Sequence, residues 1–93
     1  MVVGVLTVRL AIYEAESLKD KRRVIKSVKD RLAHRFNVSV AEVDDLDSWQ
    51  RAELGVAMVA NDGRFVESCL HKIVDVLRGE RSASLVDYHV ELL

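Results

Sequence analysis

Eight lysines and arginines fall between Lys19 and Arg35, against only Asp20 and Asp30, in a chain whose net charge is −1. Cations at that density suit one kind of chemistry, the neutralisation of an anionic surface such as nucleic-acid phosphates, with release of the counterions held there. On a helix with 100° per residue, Lys19, Arg22, Arg23, Lys26 and Lys29 share an arc of roughly 120° beside or opposite the apolar stripe. Asp30 and Ala33 share the arc, Arg31 and Arg35 lie off it, and Lys21 borders the core. A helix of about 19 residues runs ~28 Å, long enough to track several phosphates. The plain alternative is a solvated face whose long side chains maintain solubility and cover apolar edges. Segment 37–54 holds five carboxylates and one arginine, so an acidic loop of another copy could also receive this helix. Charge asymmetry alone does not choose between RNA, an acidic protein and self-association.

No other grouping spells out a reaction. Asp44, Asp45 and Asp47 crowd one loop, but the glycine and terminal glutamate of a calcium loop are missing at the required spacing. His34 and His71 are expected on the solvent sides of their helices and His89 on the far face of a strand, with no two at ligand spacing. Cys69 falls on an apolar stripe, away from any thiolate-activating context. Nucleophile elbows, phosphate-cradling glycine loops and metalloprotease motifs do not occur. The acids Glu14 and Glu16 lie near a turn, which is commonplace. Neither an enzyme nor a cofactor or metal is expected, and no small-molecule substrate is identified. Trp49, in the acidic loop, is either a packing anchor or an interface hot spot.

The elements that position these residues follow from patterning. Ninety-three residues, 49% hydrophobic and 31% charged, predict a single globular domain over 1–93. A chain this short buries only roughly 60–65% of its unfolded surface, so coverage of a second face by oligomerisation or a partner is expected. One cysteine excludes an internal disulfide, and no apolar run approaches the ~20 residues of a membrane span. The apolar N-terminus is interrupted by Arg9 and lacks a basic leader, so it reads as a strand; the expectation is a cytoplasmic protein with no membrane partner.

Alternation over 2–13 predicts a strand with Val2, Gly4, Leu6, Val8, Leu10 and Ile12 on the core face. Ser17 caps the next helix with Asp20 three residues on, and Leu18, Ile25, Val28, Leu32 and Phe36 form its stripe. Asn37, able to adopt the left-handed conformation, ends it. Strands follow at 38–43 and about 53–60, around the acidic loop. Asp62 caps a second helix with the stripe Val66, Cys69, Leu70, Ile73 and Leu77, stopped by Gly79. In a final strand Val86, Tyr88, Val90 and Leu92 alternate with Asp87, His89 and Glu91. The order β-α-β-β-α-β predicts an α+β, ferredoxin-like sandwich: a four-stranded antiparallel sheet, order 4-1-3-2, with two helices on one face.

One sheet face is then uncovered. RNA-recognition modules of this topology stack bases on aromatics of the central strands. Here the first strand offers only Tyr13, at its end, and the third offers none, so base stacking is not expected. Val3, Val5, Ala11 and part of the third strand instead leave an apolar patch, of a kind usually covered. A homodimer through sheet faces or edges is the expectation. Arg9 is expected to pair across the sheet with Asp87 or Glu91.

Ser17-Leu18-Lys19-Asp20-Lys21-Arg22, then Phe36-Asn37-Val38 with Glu42, then Trp49-Gln50-Arg51-Ala52, resembles the YlxP-like family of small bacterial proteins over essentially the whole chain. Asp20 stands where that family more often has Glu. The resemblance implies a ferredoxin-like fold and carries no catalytic residues. Because the family's genes commonly sit beside those for translation-initiation and ribosome-maturation factors, it also implies a link to the ribosome or RNA.

Three readings result. The first is a non-enzymatic accessory factor whose Lys19, Arg22, Arg23, Lys26 and Lys29 contact phosphates of ribosomal RNA or a ribosomal subunit without reading sequence. The second is a homo-oligomeric protein-interaction module that binds no nucleic acid, with Trp49, Val3 and Val5 as interface residues. The third is a small-molecule-binding or enzymatic dimer, which needs a concave pocket with converging polar groups; the sequence gives no sign of one.

Overall fold

Strand β1 (Val2–Ala11) is the spine of the molecule because its alternate residues Leu6, Val8 and Leu10 are fully apolar on one face. In the computed structural model, which describes residues 1–93, β1 pairs antiparallel with both β3 (Arg51–Ala60) and β4 (Ser84–Leu92). Strand β2 (Ser39–Asp44) pairs only with β3, so the spatial order is β2-β3-β1-β4. Read from the other edge this is 4-1-3-2, the ferredoxin-like arrangement that the element order predicts.

Helices α1 (Leu18–Arg35) and α2 (Gly63–Arg78) cover the same face. Their buried residues, Ile25, Val28 and Leu32 from α1 and Val66, Leu70, Ile73 and Leu77 from α2, meet Leu6, Val8, Leu10, Leu54, Val56 and Met58 of the sheet in one core. Helix α2 lies close enough to β1 that a Cβ on Gly4 would stand 2.3 Å from Val66 Cγ1. Glycine is required there by the approach of the helix and not by its dihedral freedom. The Asp62 carboxylate caps α2 by accepting from the Arg64 amide at 2.9 Å.

The structure departs from the sequence reading at several ends. Strands β2 and β3 run 39–44 and 51–60, shortening the acidic loop. Helix α1 stops without a left-handed residue: Phe36 takes an extended conformation (φ −125°) while its amide still donates to the Leu32 carbonyl at 2.9 Å, and Asn37 has no positive φ. In β4 the register shifts opposite Arg9 and Leu10, where Leu10 faces Leu85 and Arg9 faces Asp87. The extra residue of this β-bulge is Val86, which leaves the expected inward phase and stands exposed while Leu85 turns to the core. Arg9 pairs with Glu53 at 3.3 Å and not with Asp87 or Glu91. Glu53 lies directly across on β3, the Asp87 carboxylate already accepts from the Tyr88 amide at 2.8 Å, and Glu91 faces Val5, four residues up the strand.

Candidate nucleic-acid interface

The N-terminus of α1 is built by two reciprocal bonds. Ser17 Oγ accepts from the Asp20 amide at 3.1 Å, and Asp20 Oδ2 accepts from the Glu16 amide at 3.1 Å. This resembles a capping box, except that the acid reaches the residue before the cap. The stripe Ile25, Val28, Leu32 packed in the core fixes the rotation of the helix and so decides which lysines and arginines point outward.

Lys21 is the exception among those cations. It is fully buried, with Nζ donating to the carbonyls of Asp45 (2.6 Å) and Arg51 (3.0 Å) and lying 2.8 Å from Glu42 Oε2. The ammonium aligns its bonds with the two carbonyls, and Glu42 Oε2 is held by charge without an aligned hydrogen bond. Asp45 adopts a positive φ of 59°, and the lysine closes the β2–β3 turn at that residue. Sequence reasoning placed Lys21 at the border of the core and missed this role. Two signals were present: Lys21 falls within the arc of Ile25, Val28 and Leu32 on a helical wheel, and Glu42 shares the inward phase of Val40. The most specific part of the first-helix motif is therefore partly internal, since Ser17 and Asp20 cap the helix and Lys21 pins a turn.

The remaining cations face solvent. Lys19, Arg22 and Arg23 are exposed, Lys29 is half-buried, and none of the four is in an ion pair. Lys26 is exposed but paired with Asp30 one turn on, at 2.8 Å. That hydrogen bond, reinforced by the opposite charge, raises the Lys26 ammonium above its ordinary range and lowers the Asp30 carboxyl below its own. Arg31 lies off this face and bonds Glu80 beyond the end of α2. Burial pushes Glu80 up, but the Ser82 hydroxyl and amide together with Arg31 outweigh it and leave the carboxyl low. Arg35 rests over the Phe36 ring, 5.4 Å from its centroid.

Lys19 lies in the first turn, where the helix dipole disfavours a cation by about 0.3–1 kcal/mol, an effect that fades beyond that turn. Four unpaired cations thus line one side of α1, one of them against the dipole.

The other sequence-named residues are dispersed. Val3 and Val5 lie half-buried on the open sheet face, opposite Val59 and Ala57. Trp49 is 53% exposed, so it is not sealed inside as a packing anchor. Beyond the basic helix, the structure holds an open hollow of about 640 Å³ at one end of the uncovered face. Tyr13, Asp44, Arg51, Val86 and the Arg9–Glu53 pair line it. Nothing in the sequence pattern announced it, because its walls come from all four strands and the β2–β3 turn. No helix is long and apolar enough to cross a membrane.

Comparison with known proteins agrees with this architecture. The family described as "Protein of unknown function (DUF503)" matches residues 3–90. "Uncharacterized protein YlxP" of Bacillus subtilis (strain 168) is 36% identical over 72 residues, 77% of this chain and 78% of that protein. Two de novo designed proteins share the fold alone. LFR1 1, with a ferredoxin fold, aligns at a TM-score of 0.58 and 15% identity over 98% of this chain and 86% of its own. Foldit4 aligns at 0.56 and 14% identity over 100% and 97%. With a family match from the first strand to the last, and a bacterial relative at that identity, this chain belongs to the DUF503 family, the YlxP-like group that its first-helix motif resembles.

Proposed function

We propose that this protein is a non-enzymatic, cytoplasmic accessory factor that binds RNA, ribosomal RNA in the first instance, through the outer face of α1. The supporting observation is the set Lys19, Arg22, Arg23 and Lys29, outside any ion pair, with Lys19 three and four residues from Arg22 and Arg23, a spacing at which like charges repel. Residues that break a local rule without an internal partner mark functional sites. Phosphate contacts of this kind position a protein on RNA without reading its sequence.

If the four free cations each engage one phosphate, the log–log salt dependence of binding has a slope of roughly −3, at ~0.7 per contact for single strands. Affinity then falls about 60-fold between 50 and 200 mM salt. The test is an RNA titration of the wild type and a Lys19→Glu/Arg23→Glu/Lys26→Glu variant across that salt range. The wild type is expected to follow the slope and the variant to bind far more weakly; equal binding by the two removes the reading.

A second reading, a protein-interaction module without nucleic-acid binding, draws support from Leu46 and Trp49, both more than half exposed in the loop that also carries Asp45 and Asp47. In that case α1 of one copy meets the acidic loop of another. Molar-mass measurements would show self-association that weakens as salt rises, and the same three-residue variant would abolish it. A molar mass that does not respond to salt rejects this reading.

A further inference from the structure

We infer that the open face of the sheet seats a second copy of this chain, joined face to face about a two-fold axis, so that two basic helices point in opposite directions and hold two separate stretches of RNA together. The second half of this inference rests on the RNA reading above; the first half does not.

The face is apolar at one end of the β1–β3 ladder. Val3 stands opposite Val59 and Val5 opposite Ala57, placing four apolar side chains in two adjacent cross-strand pairs at one end. Val43 extends the patch from β2, where the absent side chain of Gly55 leaves room for it: a Cβ there would lie 3.1 Å from Val43 Cγ1. Val59 and Val43 are each 53% exposed, and both helices lie on the other side, so no part of residues 1–93 covers them. Large apolar side chains gathered on one face of a small domain mark an interaction surface.

Charge and area both favour a second copy as the occupant. Arg9 and Arg51 share this face with Glu53, Asp87 and Glu91, so its charge is of mixed sign and not the cationic field that would call for RNA. Its one exposed aromatic, Tyr13, lies past the end of β1, away from the valine pairs. Three strands of nine to ten residues and one of six, about 4.8 Å apart at ~3.3 Å per residue, present roughly 550 Å² of projected face. Side-chain relief adds to that, bringing it near the ~800 Å² per partner of a standard interface. A two-fold pairing is self-complementary, with each valine patch covering its counterpart.

The consequence for function is geometric. Packed sheets lie ~10 Å apart and each helix layer adds roughly another 10–15 Å, so the two cationic faces end up about 40 Å apart and turned outward. One RNA strand cannot lie on both at once without wrapping the dimer, whereas two segments can each take one. Bivalent engagement raises apparent affinity by on the order of a hundredfold over a single site.

The test is sedimentation equilibrium of the wild type, Val59→Asp and Ala57→Glu at low and high salt, followed by RNA binding. The wild type is expected to dimerise with a micromolar dissociation constant unmoved by salt, and both variants to be folded monomers. Ala57 is exposed, so its variant keeps the test open if Val59→Asp fails to fold. The monomers should keep wild-type affinity for a short oligonucleotide and lose about a hundredfold for a long RNA with two accessible segments. A wild type that stays monomeric at several hundred micromolar overturns the dimer. A dimer that dissolves in salt and survives both substitutions places the contact on α1 and the acidic loop, which also overturns it. A salt-resistant dimer with no affinity for either RNA leaves the pairing standing and overturns both the bridge and the RNA reading.

Discussion

Helices α1 and α2 cover the same sheet face and are both capped by a short polar residue, yet they treat charge in opposite ways. The solvent side of α2 mixes signs: Asp75 lies 3.3 Å from Arg78 and Glu67 lies beside His71, with Arg64 and Lys72 outside any ion pair, and its inner side is wholly apolar. The solvent side of α1 is nearly all cationic, and its inner side buries Lys21. Mixed, paired charge is what a surface helix needs for solubility and a few tenths of a kcal/mol of stability. Helix α2 therefore balances its charge where α1 does not, and that imbalance is the difference the proposed RNA reading accounts for.

The inner faces should differ most on mutation. Lys21→Met leaves Glu42 beside an apolar tail and two carbonyls without a donor, which should lower stability by about 3 kcal/mol. At ~4–8 °C per kcal/mol for a domain of this size, the melting temperature falls by more than 10 °C in a calorimetric scan. Adding Glu42→Leu should recover part of the loss, since an apolar pair can replace a buried ion pair at little cost. A single variant that melts with the wild type would show the buried lysine to be dispensable.

On the outer faces, reversal of Lys19, Arg23 and Lys26 should remove most RNA affinity, whereas Arg64→Glu/Lys72→Glu on α2 should change it less than about threefold. Similar losses from the two helices would mean that only net charge matters and that α1 is not a defined surface.

The caps allow a finer comparison. Ser17→Ala removes the acceptor for the Asp20 amide and should destabilise by about 1 kcal/mol, read from urea unfolding. The loss should be smaller than that from Asp62→Ala, because Asp62 also supplies a negative charge at the positive end of α2, whose first turn holds no other acid, whereas α1 keeps Asp20. The reverse order would argue that the charge of the Asp62 cap adds little to its hydrogen bond.

The smallest effect concerns the tie between the helices, Arg31 with Glu80. The Glu80 carboxyl is lowered from its ordinary 4.5 in the folded protein, so its contribution is present above that pH and is lost as pH falls through the native value. Glu80→Gln should cost about 1 kcal/mol or less at pH 7 and progressively less as pH falls through the native value, followed as melting temperature against pH. A difference that stays constant across the acid range would assign the effect to packing.

Much of the fold is legible in patterning because burial has a period. Alternation in β1 identifies Leu6, Val8 and Leu10, and helical spacing identifies Ile25, Val28 and Leu32, all in the core. Prediction failed where one residue breaks the period. The bulge at Val86 exchanges it with Leu85, and the end of α1 forms through an extended Phe36 with no left-handed Asn37. The outward cations were legible on the same wheel; their freedom from partners was not, since Lys26 and Asp30 are neighbours on the helix while Arg31 finds Glu80 only through the packing of α2.

The order of the elements, the side each helix takes and the side of α1 that carries charge are properties of the sequence by itself, because hydrophobic period and chain connectivity act through near neighbours. Which charges are spent inside the protein, where Arg9 finds its acid, and the hollow beside Tyr13 were decided only by the tertiary structure. Each of these depends on groups far apart in the chain meeting at hydrogen-bond distance, and no local pattern encodes a separation of that kind.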